Sequence, residues 1–133
     1  MSGLTVYMTA YTGRVMSPER AESCLFCKII EGSIPSTPAY QDDRCYAFAD
    51  IDPKAPVHLL VVPRRHIESL ARTSAEDPEL LGHLLWVVTE IARQKGLTNG
   101  YRTVINTGPD GGQTVGHLHL HLLGGRPMHW PPG

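Results

Sequence analysis

The chain has 133 residues, 41% of them hydrophobic and 19% charged, which suits one globular domain burying roughly 70% of its unfolded surface. Its formal net charge is -1, and Arg64-Arg65 is the only adjacent basic pair, so the composition argues against nucleic acid or an anionic membrane and for a small ligand. The apolar runs at 57–62 and 84–88 are far shorter than the roughly 20 residues that span a bilayer. The first 21 residues lack the apolar core of a signal peptide, and an odd count of three cysteines fits a reducing compartment, so the expected location is cytoplasmic.

In chain order, residues 1–23 show no period and read as a flexible arm, leaving 24–133 as the domain. Residues 24–30 (CLFCKII) predict a short helix that Glu31-Gly32 closes. Residues 39–41, a turn at 42–44 and residues 45–50 predict a hairpin with Tyr46 and Phe48 on one face. The β-branched run 57–62 predicts a central strand ended by Pro63. Residues 78–96 predict the one long helix, with Leu80, Leu81, Leu84, Leu85, Val88 and Ile91 at spacings of 3 and 4 and Gly96 as its stop. Two more strands are predicted at 101–106 and 117–123, joined by the glycine-rich loop 107–116. The sum is an α+β fold, an antiparallel sheet of about five strands with the long helix on one face.

The chemistry concentrates in His117-Leu118-His119-Leu120-His121-Leu122-Leu123. Strand alternation puts the three histidines on one face, roughly 6.6 Å apart, and the leucines on the other, giving one polar and one core face. Such a stripe serves either phosphorus chemistry or metal binding. The preceding run Asn106-Thr107-Gly108-Pro109-Asp110-Gly111-Gly112-Gln113-Thr114 favours the former, because glycines let backbone N–H groups converge on an anion. A neutral imidazole can attack phosphorus and then leave from a phosphoramidate. Cys24-Leu25-Phe26-Cys27 is open by itself: two packed, reduced cysteines, or half of a four-ligand zinc site. Cys45 reads as core.

The run HLHLHLL resembles the signature of the histidine triad (HIT) family. FADI at 48–51, VPRRHI at 62–67, NTGPDGGQT at 106–114 and the tail GGRPMHWPPG extend the resemblance to its nucleotide-binding branch, over residues 24–133. The resemblance implies a homodimer with purine nucleoside phosphoramidase or nucleotidyl hydrolase activity. It makes His119 the nucleophile on the α-phosphate, puts His121 near phosphate and leaving group, and gives His58 and His117 to the network that orients the nucleophile. It assigns the ribose to Asp50 and Ile51 with Phe48 beside them, and the phosphate to Asn106, Gly112, Gln113 and Thr114. Thr114 stands where eukaryotic relatives commonly have serine, and Ala49 where some have histidine; the hydroxyl survives. In bacterial-type relatives a pair like Cys24 and Cys27 joins two histidines, here His66 and His117, around a structural zinc, with no organic cofactor. Trp130 is expected to reach the partner subunit's site, and Trp86 to add apolar surface to the dimer. Two other readings stay open: a nucleotide-binding or partner-binding module with incidental hydrolysis, and a metalloenzyme using the three histidines as ligands, for which the strand lacks an acidic companion.

Overall fold

The computed structural model describes residues 21–133. Most of the expected arm therefore lies outside the described residues, but Ala21 packs on the core and its carbonyl accepts from Cys24 N–H at 3.1 Å, so the contacts of the domain include residues before Cys24. Cys24 caps helix α1 (Leu25–Ile30), its Sγ accepting from Cys27 N–H, and Gly32 ends the turn with a φ of 89° that side chains resist. Strands β1 (Pro38–Gln41) and β2 (Cys45–Ala49) form the hairpin. Its turn is held by Asp42 Oδ1, which accepts from the N–H groups of Arg44 and Cys45, both at 2.8 Å.

Strand β3 (Val57–Pro63) is central and almost wholly buried, as its apolar run predicts. Helix α2 (Pro78–Gln94) opens with proline at its first turn, where no N–H is needed, and stops at Gly96, φ 71°. Strands β4 (Tyr101–Val104) and β5 (Leu120–Gly124) complete an antiparallel sheet of order β1-β2-β3-β5-β4.

Two clusters cover the two faces. Leu84, Val87, Val88, Ile91 and Ala92 of α2 pack on Leu59, Val61, Leu118, Leu120 and Leu122. On the other face, Phe26, Cys27 and Ile29 of α1 pack on Tyr46, Phe48, Leu60 and Val62. The histidine face is therefore a roofed face and not a solvent face: His117 is fully buried and His119 is 6% exposed. Regular pairing also starts later than the histidine pattern predicts. Strand β5 begins at Leu120, opposite Val61; two residues earlier the same register would set Leu118 against Pro63, which has no N–H, and Leu118 N–H turns instead to the carbonyl of Ile67 at 2.6 Å. Among the described residues no helix is long and apolar enough to cross a membrane.

Candidate active site

The alternation of histidine and leucine survives ahead of the ladder, and it brings His117, His119, His121 and, from β3, His58 onto the α1 side of the sheet. The His119 and His121 rings lie 5.0 Å apart and those of His58 and His121 5.2 Å apart. Phe26 meets His119 edge-on at 5.1 Å and limits its tilt.

The hydrogen bonds fix where the ring protons sit. His119 Nδ1 is 2.7 Å from the carbonyl oxygen of His117, which can only accept; Nδ1 of the neutral ring therefore carries the proton, and Nε2 keeps its lone pair. Lys54 N–H donates to His58 Nδ1 at 3.0 Å, so His58 holds its proton on Nε2 and donates to His121 Nδ1 at 2.9 Å. His121 in turn carries its proton on Nε2. Burial holds His58 below its ordinary value, against the pull of Asp50, whose Oδ2 lies 3.4 Å from His58 Nε2. Burial lowers His121 to about 4, helped by His119 and His58 and opposed by Asp50. At neutral pH the chain from His58 to His121 is thus an uncharged line of donors.

The second cluster adjoins the first through His117. Its Nε2–H donates to the carbonyl of Pro63 at 2.9 Å, leaving Nδ1 bare. That nitrogen lies 3.3 Å from Cys24 Sγ, 3.6 Å from Cys27 Sγ and 3.2 Å from His66 Nδ1, and Cys27 Sγ is 3.5 Å from His66 Nδ1. A tetrahedral zinc with these ligands sets its donors about 3.3–3.8 Å apart, so two sulfurs and two nitrogens already stand near coordination spacing. Burial lowers His117 to about 4, keeping the ring neutral as a ligand must be.

Residues 107–116 bend as a glycine loop should. A Cβ on Gly111 would lie 2.3 Å from the Thr107 carbonyl oxygen, and Gly112 takes a φ of 81°. The Gln113 side chain is engaged by the protein itself. Its Oε1 accepts from Gly108 N–H at 3.0 Å, and its Nε2 donates to the carbonyls of Glu68 at 2.7 Å and Val115 at 2.9 Å, so the amide closes the loop. Thr114 is exposed at the mouth of a cleft of about 410 Å³ that also touches Glu68, Arg72 and Thr107. Asn106 is half-buried just before the loop.

Asp50 directly follows β2, and its Oδ1 accepts from Asp52 N–H at 2.8 Å, while Ile51 beside it is 98% exposed. Phe48 is 4% exposed and packs between Phe26 and Tyr46, backing the site from within the core. Trp130 is 83% exposed and joins neither core cluster among the described residues. Sequence reasoning missed Phe26, Lys54 and Pro63, two of which act through backbone groups that no motif marks. It also missed the pair formed by His83 and Asp42, 2.6 Å apart, which is part-buried near the start of α2 and forty-one positions apart in the chain.

A family model for the HIT domain matches residues 31–128. The chain belongs to the HIT family. It is 59% identical over 113 residues to an uncharacterised HIT-like protein of Synechococcus elongatus, a match spanning 85% of this chain and 99% of that protein. The crystal structure of a HIT family hydrolase from Legionella pneumophila superposes with a TM-score of 0.82 at 49% identity, over 84% of this chain and 100% of the other. A histidine triad nucleotide-binding protein from Candida albicans superposes with a TM-score of 0.71 at 33% identity, over 82% and 83% of the two chains. The protein thus has the HIT hydrolase-type fold.

Proposed function

We propose that this HIT protein is a purine nucleoside phosphoramidase or related nucleotidyl hydrolase, which releases a nucleoside monophosphate through a covalent intermediate on His119. The observation that carries the reading is the 2.7 Å bond from His119 Nδ1–H to the His117 carbonyl, which directs the free lone pair to Nε2. In the first step Nε2 forms a bond to the α-phosphorus, while the bond from phosphorus to the leaving group breaks and its electron pair leaves with that group, which takes a proton from solvent. In the second step water attacks phosphorus and gives up a proton to solvent, the bond from phosphorus to Nε2 breaks with its electron pair returning to the imidazole, and the monophosphate and neutral His119 result.

His121, donating from Nε2, stabilises the negative phosphoryl oxygens without itself carrying charge. Asn106 and the Thr114 hydroxyl take the same anion at the edge of the loop, whose own Gly112 and Gln113 N–H groups donate at 3.1 Å to the carbonyls of Pro109 and Gly108, and Gln113 holds the loop's shape. Asp50 takes the ribose hydroxyls with its remaining lone pairs, Ile51 lies against the sugar, and Phe48 supports the wall behind.

Cys24, Cys27, His66 and His117 would hold a zinc, which would supply a crosslink between α1, the segment after β3 and the histidine stretch. In a homodimer the exposed Leu85 and Trp86 of α2 and the uncovered edge of β4 with Tyr101 are suited to meet a second copy, and Trp130 to reach that copy's site. A cytoplasmic location fits three free cysteines.

The test is turnover of adenosine and guanosine phosphoramidates, with dinucleoside polyphosphates and pyrimidine nucleotides for contrast. The reading expects monophosphate release from the purine phosphoramidates, and weaker binding of 2'-deoxy analogues by a charge-assisted hydrogen bond of about 1.5–3 kcal/mol at Asp50. Tight AMP binding with no release from any phosphoramidate would instead identify a binding module.

A further inference from the structure

The histidine chain does not end at His58. The Nδ1 of His58 is set by Lys54 N–H, so whatever holds Lys54 also sets which nitrogen of His58 and of His121 bears the proton. Lys54 sits in the segment 51–56, in which every residue except the half-buried Ala55 is exposed, and Pro53 and Pro56 offer no N–H to anchor it.

The tail after β5 closes on this segment. Gly125 has a φ of 92°, and a Cβ there would stand 2.9 Å from Pro56 Cβ, so the Gly125 backbone abuts the Pro56 ring where a side chain would not fit. The next residue, Arg126, donates from Nε at 3.2 Å and from Nη2 at 2.9 Å to the carbonyl of Lys54, and from Nη1 at 2.9 Å to that of Pro127. A planar guanidinium fixed on two carbonyls is a rigid clamp, which a lysine's single ammonium does not reproduce.

We propose that Arg126 is a positioning residue: by clamping the Lys54 carbonyl it holds the Lys54 N–H on His58 and so keeps the phosphate-facing proton on His121 Nε2. Without the clamp, Lys54 N–H leaves His58 Nδ1, the His58 ring exchanges between its two neutral tautomers, and His121 no longer has a fixed acceptor at Nδ1 and donor at Nε2. Arg126 itself touches none of the four histidines, and the catalytic part of the inference rests on the hydrolase reading above.

The test compares the native full-length chain with Arg126→Met and Arg126→Lys. Long-range nitrogen–proton correlation spectra read the ring tautomers, and steady-state kinetics with a purine phosphoramidate read kcat and KM. In the native protein both His58 and His121 are expected as the Nε2–H form. In Arg126→Met both signals move toward a mixture of tautomers, and kcat falls roughly tenfold while KM moves less than about twofold, as for a small misplacement of a catalytic group. Arg126→Lys, which keeps the charge and most of the stem, shifts both readouts in the same direction by less, and serves alone if the methionine variant does not fold. Native tautomers in the variants overturn the proposal, even if kcat falls, because the loss would then arrive by another route. The spectra need no turnover, so a protein without phosphoramidase activity would sink the hydrolase reading and leave the tautomer result to stand or fall separately.

Discussion

His117 and His119 share one peptide carbonyl: His119 Nδ1–H donates to the oxygen of His117 at 2.7 Å, while the His117 ring turns its own bare Nδ1 to Cys24 Sγ, 3.3 Å away. One residue therefore serves two sites, offering its backbone to the nucleophile and its imidazole to the cysteine cluster. The ring is also tied to Pro63 by Nε2–H at 2.9 Å, which holds its Nδ1 on the cysteine cluster.

The cysteine cluster leads to a prediction about metal. Protein purified without added metal is expected to carry about one zinc per chain, since a site with two thiolates holds the ion through dialysis. Chelation should lower the unfolding temperature more than it lowers turnover, because the ligands come from three separate stretches and His119 does the chemistry. A native protein that is metal-free by elemental analysis, with Cys24 and Cys27 freely alkylated, would refute this.

The glycine loop is tested at Gly111, where any side chain meets the Thr107 carbonyl at 2.3 Å. Gly111→Ala should cost about 1–3 kcal/mol of stability from forced backbone movement and weaken AMP binding in calorimetry. Unchanged AMP affinity in this variant would mean that the loop does not shape the phosphate site.

The pH dependence follows from His121, whose value burial lowers to about 4. The unfolded chain, with an ordinary histidine near 6.5, binds the proton first, so the folded state gains from a neutral His121 above that value. This contribution is complete above about pH 6.5 and is lost as pH falls toward 4. Allowing for water at the half-open ring, it amounts to about 2 kcal/mol. Denaturant midpoints measured from pH 7 to pH 4 should fall in the native protein and fall less in His121→Gln; equal slopes would contradict the assignment.

Much of this was legible because it depends on local periods. Spacing alone marked α2 through its leucines and Gly96, β3 through its apolar run, and the histidine stripe through alternation. What escaped depends on which distant groups meet. The late start of β5 follows from Pro63 and Ile67, more than fifty positions away, and the roof over His119 comes from Phe26, whose burial no local pattern encodes. The resemblance assigns Gln113 to the phosphate, and its carboxamide also finds Gly108, Val115 and the carbonyl of Glu68, the last a partner that has no signature.

The central claim is that His119 Nε2 becomes bonded to phosphorus, and rapid-quench mass spectrometry during turnover of a purine phosphoramidate tests it most directly. The account predicts an acid-labile nucleotidyl adduct on the peptide containing His119, formed and consumed at rates compatible with kcat. In His119→Ala the adduct should be absent, AMP binding retained, and turnover below about a hundredth of native, as expected when several kcal/mol of transition-state stabilisation are lost. Native-like turnover by His119→Ala, or an adduct on another residue, would contradict it.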